Sequence, residues 1–150
     1  RACHLRTESR GTIRLASADP LAAPRITMGF LGTDGERRAL RESIRRVRDI
    51  CRAPSMRAQV ARELAPGPEV QSDEELDAYV RSTVDTIYHP LGACRMGLDP
   101  DAVVGADFRV RGTEGLRVVD ASVMPDLVGG NINAAVIMIA EKAADVIRGK

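Results

Sequence analysis

Two short stretches near the start of the chain alternate between apolar and polar residues. Residues 11–17 (GTIRLAS) and 25–31 (RITMGFL) carry apolar side chains at alternate positions, which is typical of half-buried strands. Asp19-Pro20 between them has the chemistry of a turn. The pattern therefore predicts an antiparallel pair of strands with one buried face.

Apolar residues recur at helical spacing in four later stretches. The first helix is predicted to enter at residues 33–36, with Thr33 or Asp34 as its N-cap, and to carry Leu40, Ile44, Val47 and Cys51 at helical spacing. Pro54 is expected to end it, because proline cannot continue a helix. A short second helix is predicted over 56–64.

The third predicted helix starts after Ser72 as N-cap and runs to about Thr86. Its predicted inner face consists of Leu76, Tyr79, Val80 and Thr83. The fourth helix, over 133–148, is apolar around most of its circumference, so we expect it to be largely buried. Between these two helices, short strands are predicted at 103–104, 108–110 and 116–119.

The composition is that of an ordinary globular domain. The chain has 150 residues, of which 44% are hydrophobic and 29% are charged, and this length favours one domain. A net charge of +1 and 3% aromatic residues give no reason to expect nucleic acid as a partner. Seven arginines lie between Arg37 and Arg52. A nucleic-acid surface is one interpretation of them, and a solvated helix face is the favoured one.

Three widely spaced cysteines form no CxxC pair, which fits a reducing compartment. We therefore expect a cytoplasmic protein, and attachment to the periphery of the inner membrane stays open. The longest uncharged run, 127–140, is shorter than the roughly 20 residues of a membrane span. The sequence opens on Arg1 instead of a methionine, and no apolar segment of the signal-peptide type follows. We therefore expect a piece of a longer protein.

Residues 88–97 (YHPLGACRMG) follow neither a helical nor a strand period. Pro90 and Gly92 restrict the backbone around His89 to special geometry. Histidine titrates near neutral pH and is a natural acceptor for the proton of an alcohol. This segment alone leaves a hydrogen-bonded structural histidine open as the alternative.

A second unusual segment runs from a short strand ending at Asp120 to the start of the last helix. Gly129 and Gly130 permit close approach of a ligand, and the first amides of the helix stabilise negative charge. An N-cap role explains Asn133 locally. Asn131 lies two residues too early for that role.

Neither a metal site nor a thiol nucleophile is favoured. The cysteines and histidines lack the spacing of zinc ligands. Cys94 and His89 have the residue types of a nucleophile pair, but a loop with proline and glycine separates them. A small buried thiol is the favoured role of Cys94.

Together these segments resemble the C-terminal part of the glucose-methanol-choline (GMC) family of flavin-dependent oxidoreductases. The likeness is greatest to the branch of choline dehydrogenase and related alcohol dehydrogenases. Residues 4–15 look like the family's strand entry into its substrate domain, and 88–97 look like its catalytic-histidine motif. Residues 119–122, 130–134 and 137–145 look like its C-terminal signature. The likeness covers nearly the whole chain.

The resemblance implies an FAD enzyme that oxidises a primary alcohol to the aldehyde by hydride transfer to the flavin. His89 would accept the hydroxyl proton, and Asn131 would hydrogen-bond the substrate oxygen. The residues expected to contact FAD are Asp120, Ala121, Asn133 and Ala134. A helix start beside the flavin also suits the negative charge that develops on the reduced ring.

This sequence departs from the family at Ala93 and Ala135, where many relatives have threonine and proline. It also contains no Gly-x-Gly-x-x-Gly fingerprint for a dinucleotide. We therefore expect the isolated chain to bind FAD weakly or not at all.

The implied fold is α+β in this chain and α/β in the intact enzyme. Residues 1–97 would be part of a substrate domain, with helices and an antiparallel sheet, and would carry the histidine motif. Residues 98–150 would return to the FAD-binding domain as a strand-loop-helix piece.

The expected partners are a small alcohol, an electron acceptor (quinone, oxygen or another acceptor) and the N-terminal FAD-binding part of the same protein. One alternative is a non-catalytic fragment or interaction module without flavin, which would dock through the arginine-rich helix. The other is a hydrolase that uses Cys94 with His89. The aromatic residues are too few to indicate a choline cage, so the alcohol itself stays open.

Overall fold

The computed structural model describes residues 2–150, which form two compact units. The first unit extends to Ile87, and the second runs from Tyr88 to Lys150. The elements are β1 (Thr12–Arg14), β2 (Arg25–Thr27), α1 (Asp34–Arg52), α2 (Pro54–Arg57), α3 (Asp73–Thr83), a 3-10 turn (Ala121–Val123) and α4 (Asn133–Ile147). Helices with a two-stranded antiparallel sheet agree with the α+β class in coarse terms. The domain boundary between 97 and 98 concerns the intact enzyme and stays a prediction.

The first two strands form the predicted antiparallel pair, in which Ile13 lies opposite Ile26. Both strands are shorter than predicted, and the expectation of a buried face is wrong. Ile13 is 57% exposed and Ile26 is 59% exposed. The physical reason is that these side chains face each other across the pair, while no helix in the described part of the first unit packs extensively on it.

Helix α1 begins as predicted, with Thr33 as its N-cap, and ends at Arg52, before Pro54. The Glu36 carboxylate in its first turn accepts hydrogen bonds from the backbone of Glu8 at 2.9 Å and of Ser9 at 2.7 Å, and from the Ser9 hydroxyl. Burial raises the pKa of Glu36, but these hydrogen bonds outweigh burial and hold it below its ordinary value. The buried carboxylate therefore ties the N-terminal segment to α1.

The short helix predicted over 56–64 is wrong in position, because α2 occupies Pro54–Arg57. Proline lacks an N–H, so Pro54 ends one helix and suits the first turn of the next. Gln59 then donates its backbone N–H to the Met56 carbonyl at 2.8 Å and closes a turn. Residues 60–64 have no regular structure.

Helix α3 begins as predicted at the Ser72 N-cap, which forms a capping box with Glu75. Leu76 and Val80 of the predicted inner face are buried. Thr83 is exposed, so its assignment to the inner face is wrong.

The same helix ends at Thr83, one turn earlier than predicted. The hydroxyls of Ser82 and Thr83 both donate to the carbonyl of the half-buried Tyr79. Such local side-chain hydrogen bonds compete with the backbone pattern of a helix. Val84 then takes an extended conformation as the C-cap.

Two arginines of α1 contact acidic residues of α3. Arg41 Nη1 lies 2.6 Å from Asp77 Oδ1, and Arg45 Nη2 lies 2.5 Å from Asp73 Oδ1. The interpretation of this face as purely solvated is therefore wrong for these residues. The acidic first turn of α3 lies beside them and neutralises their charge.

In the second unit, the three segments predicted as strands pair only through single bridges. These bridges are Met96–Val104, Val104–Val110 and Arg109–Arg117. Regular strands do not form because the backbone takes a left-handed conformation at Phe108 (φ 64°) and Gly112 (φ 74°), which interrupts an extended strand. These segments supply Val104 and Phe108 to the core, whose other buried members are Val123 and Ala143.

Helix α4 packs on this core through Ile139, Ala143 and Val146, which share one face at helical spacing. The expectation that α4 is largely buried is wrong, because Ile137 and Met138 are 56% and 60% exposed. Only one face of the helix finds apolar partners within its own unit. Among residues 2–150, no helix is long and apolar enough to cross a membrane.

Candidate active site

His89 lies in the loop of residues 88–97, at the start of the second unit. The residue before it, Tyr88, has a left-handed backbone with φ 63°, and Gly92 has φ 83°. Glycine adopts this conformation freely, whereas tyrosine adopts it at a cost. Pro90 restricts the backbone of His89 itself. The position of the imidazole is thus constrained on both sides.

Two backbone hydrogen bonds fasten this loop to the segment that follows Asp120. The Cys94 N–H donates to the Ser122 carbonyl at 3.0 Å, and the Met96 N–H donates to the Val123 carbonyl at 2.8 Å. The two segments that the sequence singles out are therefore directly joined in space.

Asp120 shapes the second of these segments. Its carboxylate accepts the Ser122 N–H at 2.7 Å and caps the 3-10 turn, as short acidic side chains do at helix starts. Asp120 is exposed and Ala121 is partly buried. Both lie beside the His89 loop, and their contact with FAD stays a prediction.

The His89 imidazole contacts the Asn131 carboxamide, although the residues are 42 positions apart in the chain. The distance between Nε2 and Oδ1 is 3.2 Å. A carboxamide oxygen only accepts, so in this arrangement Nε2 carries the proton. A half-turn of the Asn131 amide would present its NH₂ group instead and leave Nε2 as the acceptor. The imidazole and the carboxamide therefore lie close enough to hydrogen-bond the same substrate oxygen.

The start of α4 lies two residues beyond Asn131. Ile132 is the N-cap, and no side chain caps the first amides of the helix. Asn133, the alternative N-cap, is instead the first helical residue, and both it and Ala134 are exposed. Uncapped amides at the positive end of a helix fit a group that gains negative charge. The contact of Asn133 and Ala134 with FAD stays a prediction.

The other end of the His89 loop is fixed by charged side chains that sequence reasoning missed. Arg95 Nη1 donates to Asp99 Oδ2 at 2.8 Å, and this hydrogen bond holds the pKa of Asp99 well below its ordinary value. Arg111 donates to the carbonyls of Gly97 at 2.6 Å and of Asp99 at 2.7 Å. The sequence carries no motif for these contacts, because Arg95 and Arg111 lie far apart in the chain and two of the acceptors are backbone carbonyls.

Cys94 is held through its backbone and is partly buried, so the pairing of its thiol with His89 gains no support. Within residues 2–150, no group of three or more His, Cys, Asp or Glu side chains is arranged to hold a metal ion.

Comparison with known proteins decides the family. Residues 7–140 match the family model of the GMC oxidoreductase. The chain belongs to the GMC oxidoreductase family. The predicted resemblance is thereby confirmed, and the match lies in the C-terminal part of that family.

Relatives of this GMC oxidoreductase chain include an oxygen-dependent choline dehydrogenase of Chromohalobacter salexigens. The two are 51% identical over 146 residues, which make up 97% of this chain and 26% of the relative. The chain thus spans about a quarter of the length of that curated relative.

Solved structures show the same fold. Pyridoxine 4-oxidase from Mesorbium loti aligns with a TM-score of 0.90 and 37% identity, covering 97% of this chain and 28% of the oxidase. An FAD-dependent oxidoreductase from Chaetomium thermophilum aligns with a TM-score of 0.87 and 36% identity. The alignment covers 97% of this chain and 26% of the oxidoreductase chain. The fold of the chain is therefore that of a GMC oxidoreductase segment.

Proposed function

We propose that this chain is the C-terminal catalytic segment of a flavin-dependent alcohol dehydrogenase. The observation that carries the proposal is the contact between His89 and Asn131, in a chain whose family consists of oxidoreductases. The substrate is a primary alcohol, choline-like or aliphatic or aromatic, and the product is the aldehyde. The name of the choline dehydrogenase relative supports a choline-like alcohol as the first to assay.

In this proposal His89 takes the hydroxyl proton of the alcohol at a ring nitrogen. Asn131 holds the substrate oxygen through its amide and keeps it within reach of the imidazole. The withdrawal of the proton makes the adjacent carbon a better hydride donor. FAD, when bound, supplies the hydride acceptor. The proposed final electron acceptor is a quinone, oxygen or another acceptor.

The residues proposed to approach FAD belong to two segments of the second unit. Asp120 and Ala121 belong to the capped 3-10 turn, and Asn133 and Ala134 belong to the uncapped start of α4. The nucleotide half of the cofactor is assigned to the N-terminal FAD-binding part of the same protein. Residues 1–97 then belong to the substrate domain and 98–150 to the FAD domain of an α/β enzyme.

The proposal is tested by expressing the complete reading frame that contains this chain and adding primary alcohols without oxygen. We expect bound flavin whose visible absorption bleaches on addition of alcohol, as the cofactor is reduced. A frame that yields folded protein without flavin would instead indicate a non-catalytic fragment or interaction module. Fractionation of the same cells tests the proposed cytoplasmic location, with peripheral attachment to the inner membrane as the alternative.

A further inference from the structure

Asp99 follows the loop of residues 88–97 and receives hydrogen bonds from three directions. Its carboxylate oxygens accept from the Arg95 guanidinium, Oδ2 from Nη1 at 2.8 Å and Oδ1 from Nη2 at 2.5 Å. Oδ1 also accepts the Asp101 N–H at 3.1 Å, and the Asp99 carbonyl accepts Arg111 Nη1 at 2.7 Å. A single aspartate therefore joins the loop, the turn that follows it and a later segment of the second unit.

Arg95 is the residue through which Asp99 contacts the loop. Its N–H donates to the Gly92 carbonyl at 3.2 Å, and its carbonyl accepts the Val103 N–H at 3.0 Å. The pairing of its guanidinium with both oxygens of a carboxylate restricts orientation as well as distance. Asp99 thus helps to fix the turn that begins at Gly92, three residues after His89.

The loop is held on two flanks. One flank consists of residues 122–123, which accept the N–H groups of Cys94 and Met96 and belong to the segment that leads to Asn131. The other flank begins at Val103, and the turn of Asp99 immediately precedes it. Catalytic groups keep their function only within about 0.5 Å of the productive geometry. Loosening of the second flank is therefore sufficient to disturb the contact of His89 with Asn131.

We propose that Asp99 is a positioning residue for His89: its carboxylate fixes Arg95, and Arg95 fixes the loop that carries the imidazole. The inference rests on the proposed role of His89 as the proton acceptor. Asp99 acts through Arg95 and is not assigned a contact with substrate or FAD. The hydrogen bond from Arg95 holds the pKa of Asp99 well below its ordinary value, so the carboxylate is charged in any assay near neutral pH.

Asp107 offers a matched control in the same unit. Its Oδ1 accepts the N–H of Arg109, two residues further on, at 3.2 Å, as Oδ1 of Asp99 accepts the N–H of Asp101. Its carboxylate also pairs with an arginine, since Arg109 Nε lies 3.4 Å from Oδ2. That arginine lies outside the loop of His89. Asp107→Ala therefore removes a similar turn and a similar ion pair without releasing the loop.

The first measurement compares Asp99→Ala with Asp107→Ala in the full-length flavoprotein, with flavin content and thermal midpoint recorded for each. We expect Asp99→Ala to lower kcat on the order of 10-fold, within the loss of about 100-fold that a displacement of 1 Å can cause. Its KM and flavin content should change little. Asp107→Ala should keep the wild-type kcat. If Asp99→Ala does not fold, Asp99→Asn and Asp107→Asn, which keep an acceptor for the turn, replace the two alanine variants.

The second measurement repeats Asp99→Ala in a His89→Ala background, with anaerobic flavin reduction by alcohol as the rate. If Asp99 acts through His89, the substitution should cause no further loss there, because the group that it positions is absent. A structural role that is independent of His89 would lower the rate by the same factor in both backgrounds.

Three results would each overturn the inference: a wild-type kcat in Asp99→Ala, an equal loss of kcat in Asp107→Ala, or an undiminished loss in the His89→Ala background. Failure of the proposed function has a different signature, because the His89→Ala enzyme would then oxidise the alcohol at the wild-type rate.

Discussion

The hydrogen bond between His89 and Asn131 joins the two residues whose chemistry the sequence already indicated. Their residue types and the surrounding motifs were sufficient to predict a proton acceptor and a partner for the substrate oxygen. The left-handed turn at Tyr88 was not predictable, because a tyrosine carries no sequence signal for positive φ. The carbonyls of Ser122 and Val123 were missed for a similar reason, since any residue can supply a backbone acceptor.

Removal of the Asn131 amide should weaken catalysis without loss of the flavin. We expect Asn131→Ala in the full-length protein to lower kcat/KM about 100-fold, the usual loss when one hydrogen-bond donor to a reacting oxygen is removed. Steady-state kinetics with the best primary alcohol would measure it. Asn131→Asp is the matched variant, because it keeps the size but cannot donate in its ionised form. If Asn131→Ala showed wild-type kinetics, the proposed role of Asn131 in binding the substrate oxygen would be contradicted.

At the scale of elements, the capped starts of α1 and α3 were predictable, whereas the end of α3 and the start of α2 were not. Thr33 and Ser72 cap α1 and α3 as predicted, because capping depends on residues that are adjacent in sequence. The end of α3 depends on which side chain bonds to which carbonyl. The start of α2 at Pro54 depends on how the chain leaves α1.

One buried cation connects α1 to the loop that follows α2. Arg48 is 7% exposed, and its Nη2 lies 2.8 Å from Glu63 Oε1, 3.0 Å from the Gly67 carbonyl and 2.9 Å from the Val70 carbonyl. The hydrogen bond from Arg48 holds the pKa of Glu63 below its ordinary value. This connection orders a segment that has no regular structure of its own.

Loss of Arg48 should therefore cost much more stability than loss of an exposed arginine on the same helix. We expect Arg48→Ala to lower the free energy of unfolding by about 3 kcal/mol, because it leaves Glu63 and two carbonyls without their donor. Arg46→Ala is the control. Arg46 pairs with Glu42 at the surface, so its loss should cost less than about 1 kcal/mol. Urea unfolding measures both, and equal costs would contradict the structural role of Arg48.

The link from Glu36 to the N-terminal segment should depend on pH. The folded pKa of Glu36 lies below its value of 4.5 in the unfolded chain. The stabilisation is therefore fully present above pH 4.5 and is lost as pH falls through the lower folded pKa. Glu36→Gln should cost about 1–2 kcal/mol at neutral pH and flatten this acid dependence. Urea unfolding at several pH values tests it, with the exposed Glu114→Gln as control; an unchanged acid dependence in Glu36→Gln would contradict the link.

At the scale of the whole molecule, the sequence predicted the class of structure but not which apolar faces would be covered. Alternation in β1 and β2 and the apolar character of α4 both indicated burial. Within this chain, Ile13, Ile26 and Met138 are more than half exposed. Local pattern shows which face is apolar, whereas burial depends on what packs against it. The chain corresponds to 26% of the choline dehydrogenase relative.

The most direct test of the proposed function is His89→Ala in the full-length flavoprotein, measured as alcohol oxidation against retained flavin. We expect flavin content to stay at the wild-type level while kcat falls by at least about 100-fold, the contribution of a positioned general base. His4→Ala is the matched control, because its Nδ1 is buried without a hydrogen-bond partner and it belongs to the first unit. The His4→Ala enzyme should oxidise the alcohol with a wild-type kcat. Normal alcohol oxidation by His89→Ala would contradict the assignment of this chain as the catalytic segment.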